Sequence, residues 1–359
     1  MSRFGIDARA ATEEPAGRGR VVRELLRGLS ARDDDHVYNL YARTVWDEDL
    51  DERFRWRSIS ARDPIWHVQA ARAANANDDA FLSTNSYLTA WFLKVPSVVV
   101  VYDLVPFQPG IAARRSSALI ERATIGIGVR RAAQIICISA ATREDLVRRF
   151  PRAEWKARVV PLAADERFGI PLAPADLEEV RRRYELDPEF VLCTGTLEPR
   201  KNLERVLEAH ADLARSVQLA LVGPRGWEFE PILEAARRDG VRVLGQISDN
   251  DLRALYQACT VFCYPSLYEG FGLPLLEAMS AGAACVTSSV SSLPEVGGAA
   301  VRYVDPRQVD QLRQAIDDLL ASAKERAELG TRAKRRAAEF SWDRTVVGVL
   351  DALHAARDR

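Results

Sequence analysis

Two adjacent cations stand in a segment whose surroundings predict a loop between a strand and a helix. The apolar run Phe190–Cys193 precedes the segment Gly195–Asn202, and an amphipathic helical pattern follows it. Asn202 suits the N-cap of that helix, where backbone N–H groups are free to bind an anion. Arg200 and Lys201 add the positive charge that a departing diphosphate needs, since it gathers negative charge as it leaves. Taken alone, the segment fits a solvated loop with two incidental charges equally well.

A second strand–loop–helix pattern carries two carboxylates. It starts at the apolar run Val261–Tyr264 and contains Glu269 and, eight residues later, Glu277. We expect Glu277 in an apolar first helical turn, where a carboxylate needs partners. Backbone donors at the helix start or the two hydroxyls of a ribose would both serve. Two carboxylates beside a cleft also fit the acid and the nucleophile of a glycoside hydrolase, and sequence spacing leaves that reading open.

The glycines and prolines of this second pattern define its loop and its helix. Gly270 and Gly272 let backbone N–H groups come close to a ligand. Pro274 suits the first helical turn, and Gly282 suits the helix end. We therefore expect a short helix that begins directly after the glycine-bearing loop.

The first half of the chain holds two weaker candidates. The segment Pro15–Arg20 follows a predicted first strand, Arg3–Ile6, and contains a Gly-x-Gly that fits an anion-binding turn but fits a flexible loop better. The strongly apolar run Val98–Val101 ends in Tyr102 and Asp103, which could touch a substrate hydroxyl. The alternative is a polar strand end in which the aspartate caps the next turn.

The elements that must position these residues alternate between strand and helix. Apolar runs are continuous, which is typical of strands buried on both faces of a parallel sheet, and amphipathic helical patterns lie between them. The runs are Val98–Val101, Ile135–Ile138, Val191–Cys193, Leu219–Val222, Val241–Leu244, Val261–Tyr264 and Ala284–Thr287. The sequence therefore predicts an α/β fold of doubly wound parallel sheets.

Length and a break in the pattern predict two such domains. The chain has 359 residues, and Phe168–Pro174 contains two prolines, a glycine and no charged residue. We expect domains at 1–170 and 171–340, with a terminal helix in 341–359 that packs across both. Ligands bind at the carboxyl ends of the strands in such folds, so we expect the site in the cleft between the domains.

Composition excludes several classes of protein. The net charge is −1, and neither half has the basic stripe of a nucleic-acid binder. The sequence contains no run of roughly 20 apolar residues, so we expect no membrane span. Its amino terminus reaches charged residues at once, so we expect no signal peptide. The five cysteines lie in apolar runs and form no metal-ligand cluster, which favours a reducing, cytoplasmic setting. The Arg114–Arg131 segment could rest on a membrane surface, but an ordinary amphipathic helix fits it better.

Together these motifs resemble a known family. Gly195–Asn202, Tyr264-Pro265-Ser266 and the Glu269/Glu277 pair are similar to retaining glycosyltransferases of the GT-B fold, family 4 (glycosyl transferases group 1). The resemblance extends to Gly17-Arg18-Gly19-Arg20. It implies two Rossmann-like doubly wound domains that face each other across a cleft, with a C-terminal helix crossing back. The N-terminal domain would then bind the acceptor, and the C-terminal domain the nucleotide-sugar donor.

The family carries roles onto these positions. Arg200 and Lys201 would hold the diphosphate and stabilise it as it leaves, and Glu277 would bind the ribose. Glu269 would contact the transferred sugar, which displaces the hydrolase reading. Further donor contacts would come from Gly17, Gly195, Thr196, Leu244, Gln246, Ser266, Gly270, Phe271, Gly272 and Leu273. The resemblance implies no metal and no cofactor, because the two cations take the place of a divalent ion.

One departure concerns the end of the first-domain strand. Many members have His-Asp where this chain has Tyr102-Asp103. A tyrosine with a pKa near 10 stays neutral, so we expect Tyr102 to read a sugar hydroxyl without acid–base work, next to Asp103.

The resemblance leaves the substrates and two other functions open. The Gly195–Asn202 loop resembles that of mannosyltransferases in the family, which favours GDP-mannose as donor, followed by a UDP-sugar. The acceptor would be a sugar or a lipid-linked saccharide, a polysaccharide or a secondary metabolite. We expect a cytoplasmic protein, with peripheral contact of the N-terminal domain with the inner face of the cell membrane as an option, and no nucleic-acid partner. The alternatives are a nucleotide-sugar epimerase of the same fold and a non-catalytic nucleotide-sugar-binding protein.

Overall fold

The chain folds into two compact α/β units. The computed structural model describes residues 1–14, 17–108, 110 and 115–359. Unit 1 comprises Met1–Leu162 and Ser341–Arg359, and unit 2 comprises Ala163–Phe340. Each unit is built around its own parallel sheet.

Unit 1 has a seven-stranded sheet with the order β3-β2-β1-β4-β5-β6-β7. Its strands are β1 (Arg3–Asp7), β2 (Val37–Ala42), β3 (Phe54–Ser58), β4 (Ala80–Ser83), β5 (Ser97–Val101), β6 (Gln134–Cys137) and β7 (Ala157–Val159). Its first helices are α1 (Arg9–Glu13), α2 (Arg18–Ser30), α3 (Ile65–Asn77), α4 (Arg115–Arg131) and α5 (Ala140–Arg149). The winding direction reverses between neighbours β1 and β4, which makes the carboxyl end of this pair the switch point of the sheet.

Unit 2 has a six-stranded sheet with the order β10-β9-β8-β11-β12-β13. Its strands are β8 (Phe190–Thr194), β9 (Gln218–Val222), β10 (Val241–Gly245), β11 (Val261–Tyr264), β12 (Cys285–Ser288) and β13 (Arg302–Val304). Its helices are α6 (Pro174–Arg183), α7 (Leu203–Ala211), α8 (Glu230–Ala235), α9 (Asp249–Ala258), α10 (Leu273–Ala281), α11 (Leu293–Gly297), α12 (Val309–Ala321) and α13 (Ala323–Ala337). Here the switch point lies between β8 and β11.

The predicted strands and the doubly wound architecture are confirmed. All seven apolar runs singled out in the sequence form strands, namely β5, β6 and β8–β12. Every residue of β5 and β8 is buried. Helices cover both faces of such sheets, which explains why these strands are apolar without alternation.

The segment after Leu162 belongs to unit 2. Phe168 is fully buried, and its ring meets the Tyr256 ring edge-on at 5.7 Å. Gln257 Nε2 donates to the backbone carbonyl of Ile170 at 2.8 Å. The units therefore divide at Leu162, whereas the sequence places the boundary further along, at residue 170.

The last helix, α14 (Trp342–Arg357), belongs to unit 1. Val346 and Leu353 are fully buried on its inner face. Thr345 Oγ1 donates to the backbone carbonyl of Pro161 at 2.7 Å. The chain thus leaves unit 1 at residue 162 and returns to it at residue 341.

Candidate active site

The two candidate loops of unit 2 leave adjacent strands at the switch point. The Gly195–Asn202 loop follows β8, and the loop that carries Glu269 follows β11. The strands pair in parallel, with Val191 opposite Val261. The backbone N–H of Leu267 also donates to the carbonyl of Arg200 at 2.9 Å, which fastens one loop to the other. Ligands of open α/β sheets bind at this kind of position.

The Glu269 carboxylate joins both cations of the first loop. Arg200 Nη1 donates to Glu269 Oε2 at 2.7 Å, and Lys201 Nζ donates to Glu269 Oε1 at 2.6 Å. Lys201 and Glu269 are each only 7% exposed. The structure therefore brings Glu269 to two adjacent cations that lie almost 70 residues earlier in the sequence.

Tyr264 closes this arrangement, a role that sequence reasoning missed. Its hydroxyl accepts from Lys201 Nζ at 2.7 Å and donates to Glu269 Oε1 at 2.8 Å. Three polar atoms are thus mutually hydrogen-bonded. The signal in the sequence is a phenol at the end of an otherwise apolar strand, where a buried hydroxyl requires a partner.

Glu198 holds the other edge of the Arg200 guanidinium and was also missed. Arg200 Nε and Nη2 both donate to Glu198 Oε1, at 2.9 and 2.6 Å. Arg200 Nη1 also donates to the backbone carbonyl of Tyr268 at 2.9 Å. The guanidinium is thus fixed on both edges, and its carboxylate partner two residues earlier in the same loop was the available signal.

Burial and charge shift the pKa values of these groups in different directions. Burial alone would raise the pKa of Glu269, but Arg200 and Lys201 outweigh it and lower that pKa to about 2. Burial, helped by the Arg200 charge, lowers the pKa of Lys201. Burial and the Glu269 charge raise the pKa of Tyr264, which therefore stays protonated. The result is a buried carboxylate that is ionised across the physiological range.

Glu277 lies on α10 but not in its first turn, so that prediction is wrong. It is the fifth residue of the helix, whose first turn holds no acidic side chain. The residue is 3% exposed, and its carboxylate accepts from the Tyr256 hydroxyl at 3.2 Å. That hydroxyl lies 3.0 Å from Thr194 Oγ1 at the end of β8. Glu277 therefore belongs to the same strand edge as the loop that carries Arg200.

Asn202 occupies the N-cap position of α7 but does not cap it with its side chain. Its backbone is left-handed, with φ of 62°. Its Nδ2 instead donates to the carbonyls of Pro265 and Pro306 at 3.0 and 2.7 Å. The side chain thus ties together three loops, which was not predicted.

The glycine-bearing loop after β11 is buried along most of its length. Glu269, Gly270, Phe271 and Gly272 are buried, and Leu273 is half-buried. Gly272 precedes α10 with φ of 106°, a conformation that side chains rarely adopt. Ser292 Oγ lies 3.0 and 2.7 Å from the carbonyl oxygens of Glu269 and Phe271.

The remaining predicted donor contacts in unit 2 lie at strand ends. Ser266 is buried after β11, and Gly195 and Thr196 are half-buried after β8. Leu244 and Gln246 lie at the end of edge strand β10, which β9 separates from β8. The structure thus places all of them at the carboxyl edge of one sheet, and their roles stay predictions.

The candidates of unit 1 also lie at strand ends. Gly17 is exposed at the N-cap of α2, while Pro15 and Ala16 lie outside the described residues. Tyr102 and Asp103 follow β5. Burial raises the pKa of Tyr102, so its hydroxyl is neutral. Asp103 Oδ1 accepts from the backbone N–H of Val105 at 3.0 Å, the turn-capping alternative considered for this residue.

The described part of the chain offers neither a cluster of metal ligands nor a membrane-spanning helix. In it, no group of three or more His, Cys, Asp or Glu side chains is placed to hold a metal ion. No helix within those residues combines the length and the hydropathy that crossing a bilayer requires. Arg114, in the segment considered for membrane contact, lies outside the described residues.

Two family models match the chain, one on each unit. The model described as Glycosyltransferase Family 4 matches residues 15–168, and the model described as Glycosyl transferases group 1 matches residues 176–336. The chain belongs to glycosyltransferase family 4. The resemblance inferred from the loop residues is therefore confirmed.

Named relatives match the chain over part of their length. It is 37% identical over 227 residues to O-antigen chain mannosyltransferase B of Escherichia coli, a match that covers 61% of this chain and 59% of that protein. It is 34% identical over 218 residues to the MMP alpha-(1->4)-mannosyltransferase of Mycolicibacterium hassiacum, covering 58% and 51%. The matches thus span between one half and three fifths of these relatives.

Solved structures share the whole fold. The structure of Anabaena Alr3699/HepE in complex with UDP and glucose has a TM-score of 0.78 to this chain, at 16% identity. The match covers 99% of this chain and 100% of that chain. The chain therefore has the GT-B fold, as predicted.

Proposed function

We propose that this glycosyltransferase moves a hexose from a nucleotide-diphosphate sugar to a hydroxyl of a bacterial polysaccharide or related glycoconjugate, with retention and without a metal ion. The observation that carries the proposal is the pair Arg200 and Lys201, held by Glu269 at the switch point of the unit 2 sheet. Two preorganised cations suit a diphosphate leaving group. The Anabaena structure is a complex with UDP and glucose, which supports the same class of ligand.

The reaction assigned to the site exchanges one bond for another. The bond from the sugar C1 to the diphosphate oxygen breaks, and the acceptor oxygen bonds to C1 on the same face. The acceptor proton passes to the departing diphosphate, whose new charge Arg200 and Lys201 stabilise. No step requires a metal ion or a further cofactor.

The other roles follow from the family and from placement. Glu277, buried at the same edge, would bind the ribose hydroxyls, and Glu269 the hydroxyls of the transferred sugar. Phe271 and Gly272 lie in the loop whose backbone would face the phosphates. Tyr102, neutral at physiological pH, would contact the donor sugar as a hydrogen-bonding group.

Mannose is the sugar we assign, with GDP as its carrier. Both named relatives reported above are mannosyltransferases by name. The Gly195–Asn202 loop resembles the loop of family members of that kind. The name of the Escherichia coli relative refers to an O-antigen chain, which supports a growing saccharide as acceptor.

A nucleotide panel tests the donor site. GDP, UDP, ADP, dTDP and CDP are added to the wild type, Lys201→Ala and Glu277→Ala, and each shift in Tm is measured against the same variant alone. A ligand at 100 times its Kd stabilises by about 2.7 kcal/mol. We expect GDP to raise the Tm of the wild type and to leave the Tm of both variants unchanged. Lys324→Ala, at a lysine whose side chain is 88% exposed, is the matched control and should keep the shift.

Turnover tests the reaction. With GDP-mannose and a mannose-terminated acceptor, the product should have the anomeric configuration of the donor by NMR, and EDTA should leave the rate unchanged. Consumption of the donor without an acceptor would instead indicate an epimerase, and binding without turnover a non-catalytic protein. An inverted product would contradict the retaining mechanism.

A further inference from the structure

The charged side chains that pair with Arg200 and Lys201 form, together with them, a formally neutral group. We call Glu198, Arg200, Lys201 and Glu269 the loop cluster. It holds two positive and two negative groups, and each carboxylate contacts the Arg200 guanidinium. Only Glu269 also contacts Lys201. The cluster therefore offers no excess positive charge while Glu269 keeps both contacts.

Glu269 occupies the donors that a diphosphate would use. Arg200 Nε and Nη2 each donate to Glu198, whereas Nη1 donates to Glu269 at 2.7 Å and to the Tyr268 carbonyl at 2.9 Å. Lys201 Nζ donates to the same carboxylate at 2.6 Å. A diphosphate that bridges Arg200 Nη1 and Lys201 Nζ would place its oxygens where the Glu269 carboxylate now lies. Glu269 and the diphosphate therefore compete.

We propose that Glu269 is an internal counter-anion, which a nucleoside diphosphate displaces from Arg200 and Lys201 when it binds. The inference rests on the proposed function, because it concerns the same donor site. Binding of the donor would then free the Glu269 carboxylate for the hydroxyls of the transferred sugar. The exchange links diphosphate binding to the readiness of the sugar site.

Burial explains why such a counter-anion is needed. Lys201 is 7% exposed, and a buried cation without a partner is costly. Glu269 therefore keeps the loops folded until another anion replaces it. The lowering of the pKa of Glu269 to about 2 by the two cations reflects how strongly it is held.

The backbone of Glu269 has attachments of its own. The Glu269 backbone N–H donates to Ser291 Oγ at 2.9 Å, and its carbonyl lies 3.0 Å from Ser292 Oγ. These contacts do not involve the carboxylate. Loss of the contacts between the carboxylate and the two cations would therefore leave these backbone attachments in place.

The experiment measures affinity for GDP and UDP by calorimetry at pH 6.5. Because burial lowers the pKa of Lys201, this pH favours its charged form more than a higher pH would. Glu269→Gln removes the competing charge and should bind the preferred nucleoside diphosphate roughly tenfold more tightly than the wild type while losing transfer of the sugar. Glu198→Gln is the matched control, since it removes the same charge from the other edge of Arg200. Its affinity should stay within about threefold of the wild type, because Glu198 does not hold Nη1 or Lys201.

Each outcome decides the point. Equal tightening in both variants would show a general effect of net charge and would overturn the exchange, as would weaker binding by Glu269→Gln. If Glu269→Gln does not fold, Glu269→Asp replaces it. A carboxylate one methylene shorter keeps the charge but cannot hold both cations at 2.6–2.7 Å, so it should still bind the diphosphate more tightly than the wild type. A wild type that binds no nucleoside diphosphate contradicts the proposed function instead.

Discussion

Two buried carboxylates show how neighbours decide the ionisation of one residue type. Glu269 accepts from two cations, and its pKa falls to about 2. Asp78 in unit 1 accepts from neutral groups, Asn39 Nδ2 at 2.5 Å and the Tyr41 hydroxyl at 2.7 Å. Burial is then the larger influence and raises the pKa of Asp78 to about 6. Only the first of these carboxylates is suited to act as a fixed negative charge at a charged site.

The raised pKa of Asp78 predicts a pH dependence of stability. Folded unit 1 binds the Asp78 proton more tightly than the unfolded chain, so stability from this group falls as pH rises from about 4 to 6. A shift of about two pKa units corresponds to roughly 3 kcal/mol. We expect Asp78→Asn to flatten the pH dependence of the free energy of unfolding in this window, measured by urea titration at several pH values.

A substitution at the next residue controls for the loss of a carboxylate as such. Asp79→Asn changes the next residue, whose carboxylate accepts from the backbone N–H of Arg3 at 2.8 Å. This variant should keep the wild-type slope between pH 4 and 6. Parallel slopes for Asp78→Asn and the wild type would remove Asp78 as the cause. Glu269 contributes in the opposite sense, since its stabilisation is present above pH 4.5 and is lost as pH falls towards 2.

At the scale of elements, the start of α10 depends on one backbone conformation. Gly272 precedes the helix with φ of 106°, and a Cβ added there would lie 2.7 Å from Leu293 Cδ2. We expect Gly272→Ala to lower the free energy of unfolding by about 1–3 kcal/mol, because the strained conformation and the close contact add together. The same shift of the loop should weaken binding of the nucleoside diphosphate.

A helical glycine provides the matched control for that substitution. Gly126 lies inside α4, and a Cβ there would meet only Phe150, at an ordinary 3.6 Å. Gly126→Ala should therefore be neutral or stabilising by up to about 1 kcal/mol. Chemical denaturation of both variants gives the comparison. Equal destabilisation by the two alanines would contradict the role assigned to the φ of Gly272.

The sequence predicted the elements better than the contacts between them. Strands buried on both faces are continuous apolar runs in the sequence. The positions of β8, β11 and the loops after them could therefore be predicted. That these two strands are neighbours depends on sheet order, which local pattern does not encode. The tie between Glu269 and Lys201, and the part of Tyr264 in it, follow only from that order. The side chain of Asn202 was misjudged for the same reason, because its partners Pro265 and Pro306 are remote in sequence.

At the scale of the whole molecule, the chain path gives each unit its own core. Unit 1 is completed by the last segment of the chain, since α14 belongs to it and follows all of unit 2 in the sequence. Leu353 on α14 and Leu319 on α12 are both fully buried, each in a different unit. A substitution that destabilises one core should therefore be detected by probes of unfolding that lie in that unit.

This arrangement predicts separable effects of two matched core substitutions. Leu353→Ala should destabilise unit 1, and Leu319→Ala unit 2, by about 2–5 kcal/mol each, through lost burial and the cavity that remains. Six of the seven tryptophans lie in unit 1, so intrinsic fluorescence during urea unfolding follows mainly that unit. The fluorescence midpoint should fall in Leu353→Ala, and addition of the nucleoside diphosphate should still protect unit 2 from proteolysis. In Leu319→Ala the protection should require more nucleotide, while the early fluorescence change is preserved. Identical fluorescence midpoints in the two variants would mean that the units unfold as one, and that the return of α14 to unit 1 confers no separate stability.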